Sequence, residues 1–387
     1  MKYCKTCLAT NLRPNSSFNS SDICIACEYH INNTTKSSIS SLEKLKKLKL
    51  WIKELQVRRG CKRKNNNYDC IVGVSGGKDS TRQAHWVRDR LGLKPLLICG
   101  AYPPMQMTTI GGKNLANLIR MNFDLEVICP APQTSSHLSL LSFKKFGNVC
   151  KSTELALFSI VPRIAIEKRI PLIFWGENPA LQVGDSATLG ENEFDGSNLR
   201  FLNTLIEGGN NWMSSRSFGQ HLNFYSYPNF KDLKKYGIDI IFLGTVWDDW
   251  SEDENSLYAS LSGLELRPKD INLTGDISGA SMLDEEFTNI NMMLKYFKFG
   301  FGRATDTVNE KIRLGLMTRS KAVEIVKKYD GVCDESIIKR YCDYVNISKN
   351  KFWEIANKFV NKKIFNIKEG KKPKPKFEVG VNFDKYN

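Results

Sequence analysis

The sequence predicts an α/β protein: a parallel sheet buried on both faces, with a small Cys-bearing module before it and a helical region after it. Three observations carry this. Five compact apolar runs recur, at Asp69–Val74, Pro95–Gly100, Leu125–Cys129, Pro171–Gly176 and Asp239–Gly244. Stretches long enough for helices separate them, such as Asp79–Leu91 and Lys113–Met121. Strands that are apolar throughout and alternate with helices belong to parallel sheets covered on both sides. Ligands of such sheets sit beyond the carboxyl ends of the strands. From Glu285 onward helical patterns dominate, at Phe287–Phe297, Val308–Leu314, Ser320–Tyr329, Glu335–Val345 and Lys349–Val360.

Four segments follow from composition. Residues 1–41 form a Cys module with a polar linker, 31–41. Residues 42–284 hold the sheet, with a long Asn/Gly/Ser-rich insertion near 185–236 placed to cover a site. Residues 285–365 are the helical region, and 366–387 read as a loosely ordered basic tail. Leu45, Leu48, Trp51, Ile52 and Leu55 make one face of a helix over 42–59 that packs on the sheet domain.

The chain has 387 residues and a formal charge of +15. Two segments account for nearly all of that charge: residues 44–64 carry a net +9 and residues 361–387 a net +5. The near-neutral remainder lacks the extended basic face of a nucleic-acid binder. No apolar run approaches the roughly 18 residues of a membrane span. The start, MKYCKTCLAT, lacks the order of a signal peptide, so a cytoplasmic location is expected.

Eleven Cys are present. The odd count and two tight pairs argue against a disulfide framework. Cys4, Cys7, Cys24 and Cys27, spaced Cys-x2-Cys-x16-Cys-x2-Cys, fit a four-thiolate tetrahedral site. Structural Zn2+ is the main reading, with an iron–sulfur cluster or a redox pair as alternatives. The other seven Cys read as buried apolar residues.

Ser75-Gly76-Gly77-Lys78-Asp79-Ser80-Thr81 follows the first strand. Two glycines allow a sharp turn and close approach to a ligand. Backbone N–H groups at a helix start add positive potential. Three hydroxyls and the Lys78 cation complete an anion cradle. The spacing is not that of the usual triphosphate loop. It resembles the SGGxDS loop of the ATP-pyrophosphatase (adenine nucleotide alpha-hydrolase-like, HUP/Rossmann-like) superfamily, which implies ATP and Mg2+, with the loop holding the β- and γ-phosphates as pyrophosphate leaves. A second segment, Trp175-Gly176-Glu177-Asn178-Pro179, ends the fourth strand, with Asp185 beyond it. Glu177 has two readings, as a group that takes Mg2+ or orients the acceptor, and as a cap for the next helix.

The chain as a whole resembles the N-acetyl sugar amidotransferases of the WbpG/PseA type. The likeness rests on the Cys pairs, YDCIVGVSGGKDST, WGENP, FLGTVWDDWSEDEN and KYFKFGFGRATDTVNEKIRLGLMTRSKAVEIVKKYDG. It implies that the acetamido oxygen of a bacterial surface-polysaccharide or nonulosonic-acid sugar precursor attacks ATP. Ammonia then displaces AMP and leaves an acetamidino group. It implies an activated N-acetylated sugar as substrate, and a HisH-like glutaminase with a HisF-like channel protein as ammonia source. By the same resemblance Lys78, Asp79, Glu177 and Arg303 are the catalytic candidates. Ser75 to Thr81, Gly176, and Ala101 with Tyr102 as the adenine wall are the nucleotide-binding ones.

Lys298, Arg303, Asp306 and Arg313 are placed near the substrate, with surface ion pairing as the alternative for Asp306 and Arg313. Phe297, Phe299 and Phe301 alternate as on an extended strand and read as core. The segment after WGEN, ALQVGD, and the stretch LTGDISGASMLDEEF depart from the family pattern. The main rival is a tRNA-modifying enzyme of the same superfamily, a thiolase or lysidine synthetase. The basic 44–64 segment would suit it, but thiolation would want a reactive Cys pair beyond the four-thiolate set, and the sequence has no further Cys-x-x-Cys.

Overall fold

The computed structural model describes residues 1–14, 16–36, 41–58, 67–176, 195–198, 212–213, 219–246, 251–268, 271–367 and 372–383. Helices α1 (Ile25–Lys36) and α2 (Ser41–Arg58) come first. The central layer then runs β1 (Cys70–Gly73), α3 (Lys78–Asp89), β2 (Pro95–Gly100), α4 (Thr109–Arg120), β3 (Leu125–Ile128), α5 (Pro132–Phe146), α6 (Lys151–Lys168), β4 (Leu172–Trp175) and β5 (Asp239–Phe242). Helices α7 (Glu252–Leu261), α8 (Thr288–Phe299), α9 (Arg303–Arg313), α10 (Arg319–Tyr329), α11 (Glu335–Tyr344) and α12 (Lys349–Lys358) follow, with a short pair β6 (Phe365–Asn366) and β7 (Lys374–Pro375).

The sheet order is β3-β2-β1-β4-β5. All four ladders are parallel, with Val72 opposite Leu97 and Phe174, and Phe174 opposite Ile241. The chain winds outward from β1 to β3, then returns to the other side of β1 to lay down β4. The direction of winding therefore reverses between β1 and β4, and the crevice at their carboxyl ends is where this topology places a ligand.

Alternate side chains of the strands serve two cores. Ile71, Ile98, Ile173 and Phe242 pack with Leu155 and Ile160 of α6. Val72, Leu97, Phe174 and Ile241 pack with Ile52 of α2, Ala84 and Val87 of α3 and Leu118 of α4. The α2 stripe is thus core, as its spacing predicts. The third run is different. β3 lies at the sheet edge and is only half-buried, because it is covered from one side and carries Glu126. Among the described residues, the opposite edge, β5, is covered by one antiparallel bridge from Asp195 to Ile241. Trp212, Met213, Tyr225 and Tyr227 of the same insertion pack into the α6-side core. Most of the insertion lies outside the described residues.

A third core gathers α8 to α12 with one flank of α5, around Phe143, Phe287, Tyr341 and Phe352. Each of α10, α11 and α12 starts where a side chain caps it. Thr318, Asp334 and Ser348 accept from the backbone N–H of Lys321, Ser336 and Lys351.

Several expectations are corrected here. Residues 31–36 belong to α1, not to a linker. The Cys module packs on the C-terminal helices, with Met1, Tyr3 and Leu8 buried in their core. The tail is not loose over its described part, 372–383. β7 pairs with β6, Phe377 and Val379 are buried, and the Phe383 N–H donates to the Met1 carbonyl at 2.8 Å. Phe297 and Phe301 are core, but not on a strand. Phe297 and Phe299 end α8, Gly300 turns the chain in the left-handed region (φ 75°), and Phe301 follows it. Of the scattered Cys, Cys70, Cys99, Cys150 and Cys342 are buried, Cys333 is half-buried and Cys129 is exposed, while Cys61 lies outside the described residues. Among the described residues no helix is long and apolar enough to cross a membrane.

Candidate functional site

The loop after β1 is held in shape by its own hydroxyls. The Ser75 N–H donates to Ser80 Oγ at 3.3 Å, the Gly77 N–H to Ser75 Oγ at 3.3 Å, and Ser80 Oγ–H to the Gly77 carbonyl at 3.2 Å. Gly76 adopts φ 81°, and a Cβ there would press on the backbone of Asn114 and Leu115 in α4 at 3.0–3.1 Å. Only glycine lets the loop turn this close to α4. Gly77 then enters α3 without a side-chain cap, which leaves the helix's first N–H groups for a ligand.

A cavity of about 230 Å3 opens above this loop, in the crevice between β1 and β4. Ser75, Gly77, Lys78, Asp79 and Ser80 line it, as do Tyr102 from the end of β2 and Gly176 from the end of β4. Three predicted residues stand outside the lining. Thr81 is buried beneath the helix, Gly76 backs onto α4, and Ala101 is buried beside Tyr102. Glu177, Asn178, Pro179 and Asp185 lie outside the described residues. A larger groove of about 860 Å3 runs between α6 and residues 223–236. It contains neither the loop nor the Cys cluster.

Lys78 is the centre of a charge network. Its Nζ donates to Asp79 Oδ2 at 3.0 Å. Asp79 Oδ1 accepts from Asn255 Nδ2 at 2.7 Å, and Asn255 Oδ1 accepts from Arg82 at 2.6 Å. Helix α7, which packs along α3, brings Asn255 there. Burial works against the Lys78 charge, but the Asp79 and Glu252 carboxylates outweigh it and hold the ammonium above its ordinary value. Glu252 is the counterpart. Burial alone would raise it, yet Lys78, Arg303 and the hydroxyls of Ser281 and Ser278 hold it below the usual carboxylate range. Ser278 Oγ donates to Glu252 Oε1 at 2.9 Å, and Ser281 Oγ donates to the same oxygen. Arg303, the first residue of α9, is therefore brought into the field of the loop lysine, and its Nε is buried without a partner among the described residues.

Asp284 is the second carboxyl that the sequence reading missed. Thr108 starts α4, its N–H donates to the Asp284 carbonyl at 3.1 Å, and its hydroxyl donates to the Leu283 carbonyl. Gly111 permits that approach, since a Cβ there would sit 2.5 Å from Asp284 Cα. The result places Asp284 in the cavity lining beside Tyr102. Burial pushes its carboxyl up, against a backbone hydrogen bond and one to the Tyr102 side chain.

The other charged candidates do not line this cavity. Lys298 donates to the Phe146 carbonyl at the end of α5, and burial lowers it to about 8. Asp306 is an ion-pair centre. Lys295 donates to it at 2.6 Å and Arg13 contacts its other oxygen, while both cations lie over the Phe301 ring. Arg313 lines a small pocket next to Cys24, together with Arg13 and Asn309.

Much of the KYFKFGFGRATDT…KKYDG stretch is structural. Asp330 reaches back to the start of α9, accepting from the N–H groups of Gly302 at 2.9 Å and Thr305 at 3.1 Å, and from the Thr305 hydroxyl. It supplies the cap that Gly302 cannot. Burial raises its carboxyl to about 6. Replacement Asp330→Ala is expected to lower unfolding stability by about 2–3 kcal/mol, as the loss of a buried cap with several accepted bonds. Because the folded-state value lies above the unfolded one, Asp330 contributes most at low pH, and that contribution declines as pH rises through about 6. Urea titrations should therefore show a larger deficit at pH 4.5 than at pH 7.5.

Cys4, Cys7, Cys24 and Cys27 are brought together as their spacing predicts. All four are buried, and their sulfurs lie within 4.8 Å of one another, in position to hold a metal ion. The Cys24 N–H points at Cys4 Sγ at 3.3 Å and the Ala9 N–H at Cys7 Sγ at 3.4 Å, bonds that favour thiolates. The cluster is tied to α9: the Leu8 N–H donates to Asn309 Oδ1 at 2.7 Å.

Comparison with known proteins agrees with the C-terminal part of this description. No curated protein matches the chain. Among solved structures, it is similar to the U34-tRNA thiolase NcsA from Methanococcus maripaludis with its [4Fe-4S] cluster, at 14% identity and a TM-score of 0.31, over 72% of this chain and 80% of that one. A likeness of that size has no bearing on function. Residues 284–377 match the C-terminal domain of WbpG-like LPS biosynthesis proteins, a span that starts at the cavity carboxyl Asp284 and includes Arg303, Asp306 and Asp330. Over these residues the chain carries a WbpG-like C-terminal domain.

Proposed function

We propose that this chain is an ATP-dependent amidotransferase. It activates the acetamido oxygen of an N-acetylated, activated sugar with ATP and lets ammonia displace AMP. The observation that carries the reading is the glycine loop with its half-buried, charged Lys78, set at the start of α3 in the crevice where the sheet reverses its winding. The WbpG-like domain supports the choice of acceptor.

The residues divide the work as follows. The Ser75–Ser80 backbone and Lys78 hold the leaving pyrophosphate, so charge neutralisation and placement supply the rate. Asp79 and Glu252 keep Lys78 charged and aimed. Tyr102 walls the base. Asp79 and Asp284 are the lining carboxylates that would hold Mg2+, which would neutralise the departing phosphates. That suits an ion bound mainly through phosphate oxygens and water, because no group of three carboxylates clusters among the described residues. Four buried thiols within 4.8 Å suit Zn2+ as a structural ion. Ammonia is taken to come from a HisH-like glutaminase through a HisF-like channel partner.

The test is pyrophosphate release from ATP with Mg2+ and ammonium, comparing nucleotide-activated N-acetylated sugars with total tRNA. Sugar-dependent release, with a product one mass unit lighter, is the expected result. Release with tRNA alone overturns it.

A further inference from the structure

Two buried polar side chains in the cavity wall have no hydrogen-bond partner among the described residues. Gln83 is 0% exposed, and neither its Nε2 nor its Oε1 is bonded. Trp175 is 9% exposed, and its Nε1 is unbonded. Both line the cavity above the glycine loop. Orphaned buried groups are rare in native proteins, and one facing a cavity calls for a ligand.

The packing fixes where they stand. A Cβ on Gly176 would lie 2.6 Å from Gln83 Oε1 and 3.5 Å from the Asp79 carbonyl. The Gln83 carboxamide is thus held at the seam between the first turns of α3 and the carboxyl end of β4. The Trp175 ring lies against β1 at Gly73, where a Cβ would meet it at 2.6 Å. Strand order puts β2 and β4 on opposite sides of β1. With strands about 4.8 Å apart, the β4 seam is roughly 10 Å from the end of β2. Tyr102 stands at β2 and the anion cradle lies at β1 between the two. A nucleotide with its base at Tyr102 and its phosphates on the cradle leaves the β4 side for the group that attacks phosphorus.

The orphan set is neutral, with one acceptor and two kinds of donor. It matches a neutral group bearing both an N–H and a carbonyl, and it offers no cation to a carboxylate. We propose that Gln83 and Trp175 are positioning residues for the acceptor amide, and that they select an acetamido group over a carboxylate. This rests on the amidotransferase reading. Gln83 Oε1 accepts the acetamido N–H, which shifts electron density onto the carbonyl oxygen. That oxygen forms its bond to the α-phosphorus as the bond to the pyrophosphate oxygen breaks, and pyrophosphate carries the electron pair away. Gln83 takes no proton.

The experiment compares wild type with Gln83→Met, which keeps the volume and deletes both polar atoms, and with Trp175→Phe. Three quantities are measured on the full chain. The melting temperature of free Gln83→Met should rise by about 1–3 °C, because an unsatisfied group is removed. A fall means that Gln83 is bonded within the protein, and overturns the proposal. Affinity for ATP with Mg2+ should stay within about twofold, and a loss of about tenfold or more would assign Gln83 to the base and overturn it. KM for the N-acetylated sugar should rise about tenfold or more in Gln83→Met and less in Trp175→Phe. An unchanged KM in an active enzyme sinks this inference alone. A wild type that releases no pyrophosphate with any N-acetylated sugar sinks both this inference and the function on which it rests.

Discussion

Replacing Lys78 by Met is expected to cut sugar-dependent pyrophosphate release by about 10²–10³-fold, the usual size for deleting one preorganised group that meets developing charge. The charge states around Lys78 make this specific. Its ammonium is held above its ordinary value, so its charge and the stability tied to it persist through the neutral range and are lost only at alkaline pH beyond that value. Glu252 is held below its ordinary value, so its contribution is complete above the normal glutamate range and disappears only on acidification below it. Between these limits the pair is fully ionised. An activity profile measured from pH 6 to 9 should therefore show no limb that disappears in Lys78→Met or Glu252→Gln.

The same substitution strands two partly buried carboxylates, and breaking a buried pair is costly for folding. Lys78→Arg separates the two effects. It keeps the charge beside Asp79 and Glu252, so its melting temperature should stay near that of wild type. The bulkier guanidinium fits the Lys point-charge site poorly, so activity should still fall. A Lys78→Met variant that melts normally and retains activity would remove the cradle from the reaction.

The parallel sheet was legible because its strands are buried on two faces and read as unbroken apolar runs. The edge position of β3 was not, because LEVIC differs from a central run only by Glu126, and one charge does not reveal which neighbour a strand lacks. The loop lay open to reading because all its parts are consecutive. Its partners did not. Glu252 and Asn255 come from a helix more than 170 residues away from Lys78, and Gln83 looks like an ordinary helical residue until β4 is laid beside it. The tail was misread because Lys, Pro and Gly dominate its composition, while the apolar side chains Phe377 and Val379 fix its path. Local composition carries little of that information when the anchoring contact is with Met1 or Tyr296.

Loss of metal from the Cys cluster should reach well beyond the first thirty residues. Four thiolates around one ion at about 2.3 Å would be spaced near 3.8 Å. Cys7 and Cys24 sulfurs stand at 3.7 Å, which favours a single tetrahedral ion over a larger cluster. Metal analysis should give one zinc per chain and no visible absorption from iron. Cys7→Ser, or a strong chelator, should then lower the melting temperature by more than about 5 °C, since binding energy at such a site is folding energy. The effect spreads because the module is built into its neighbours. Leu8 is in the C-terminal core, the Cys7 carbonyl accepts from Arg319 at 3.4 Å, and the Tyr3 N–H donates to Asn382 at 2.8 Å. Arg13 pairs with Asp306 on α9, the helix whose first residue is Arg303. Metal removal should therefore also weaken ATP binding, through Arg303 and Lys78, before the sheet itself melts. A Cys7→Ser protein with unchanged melting temperature and ATP affinity would mean that apolar packing alone holds the module, and that α9 keeps its place without it.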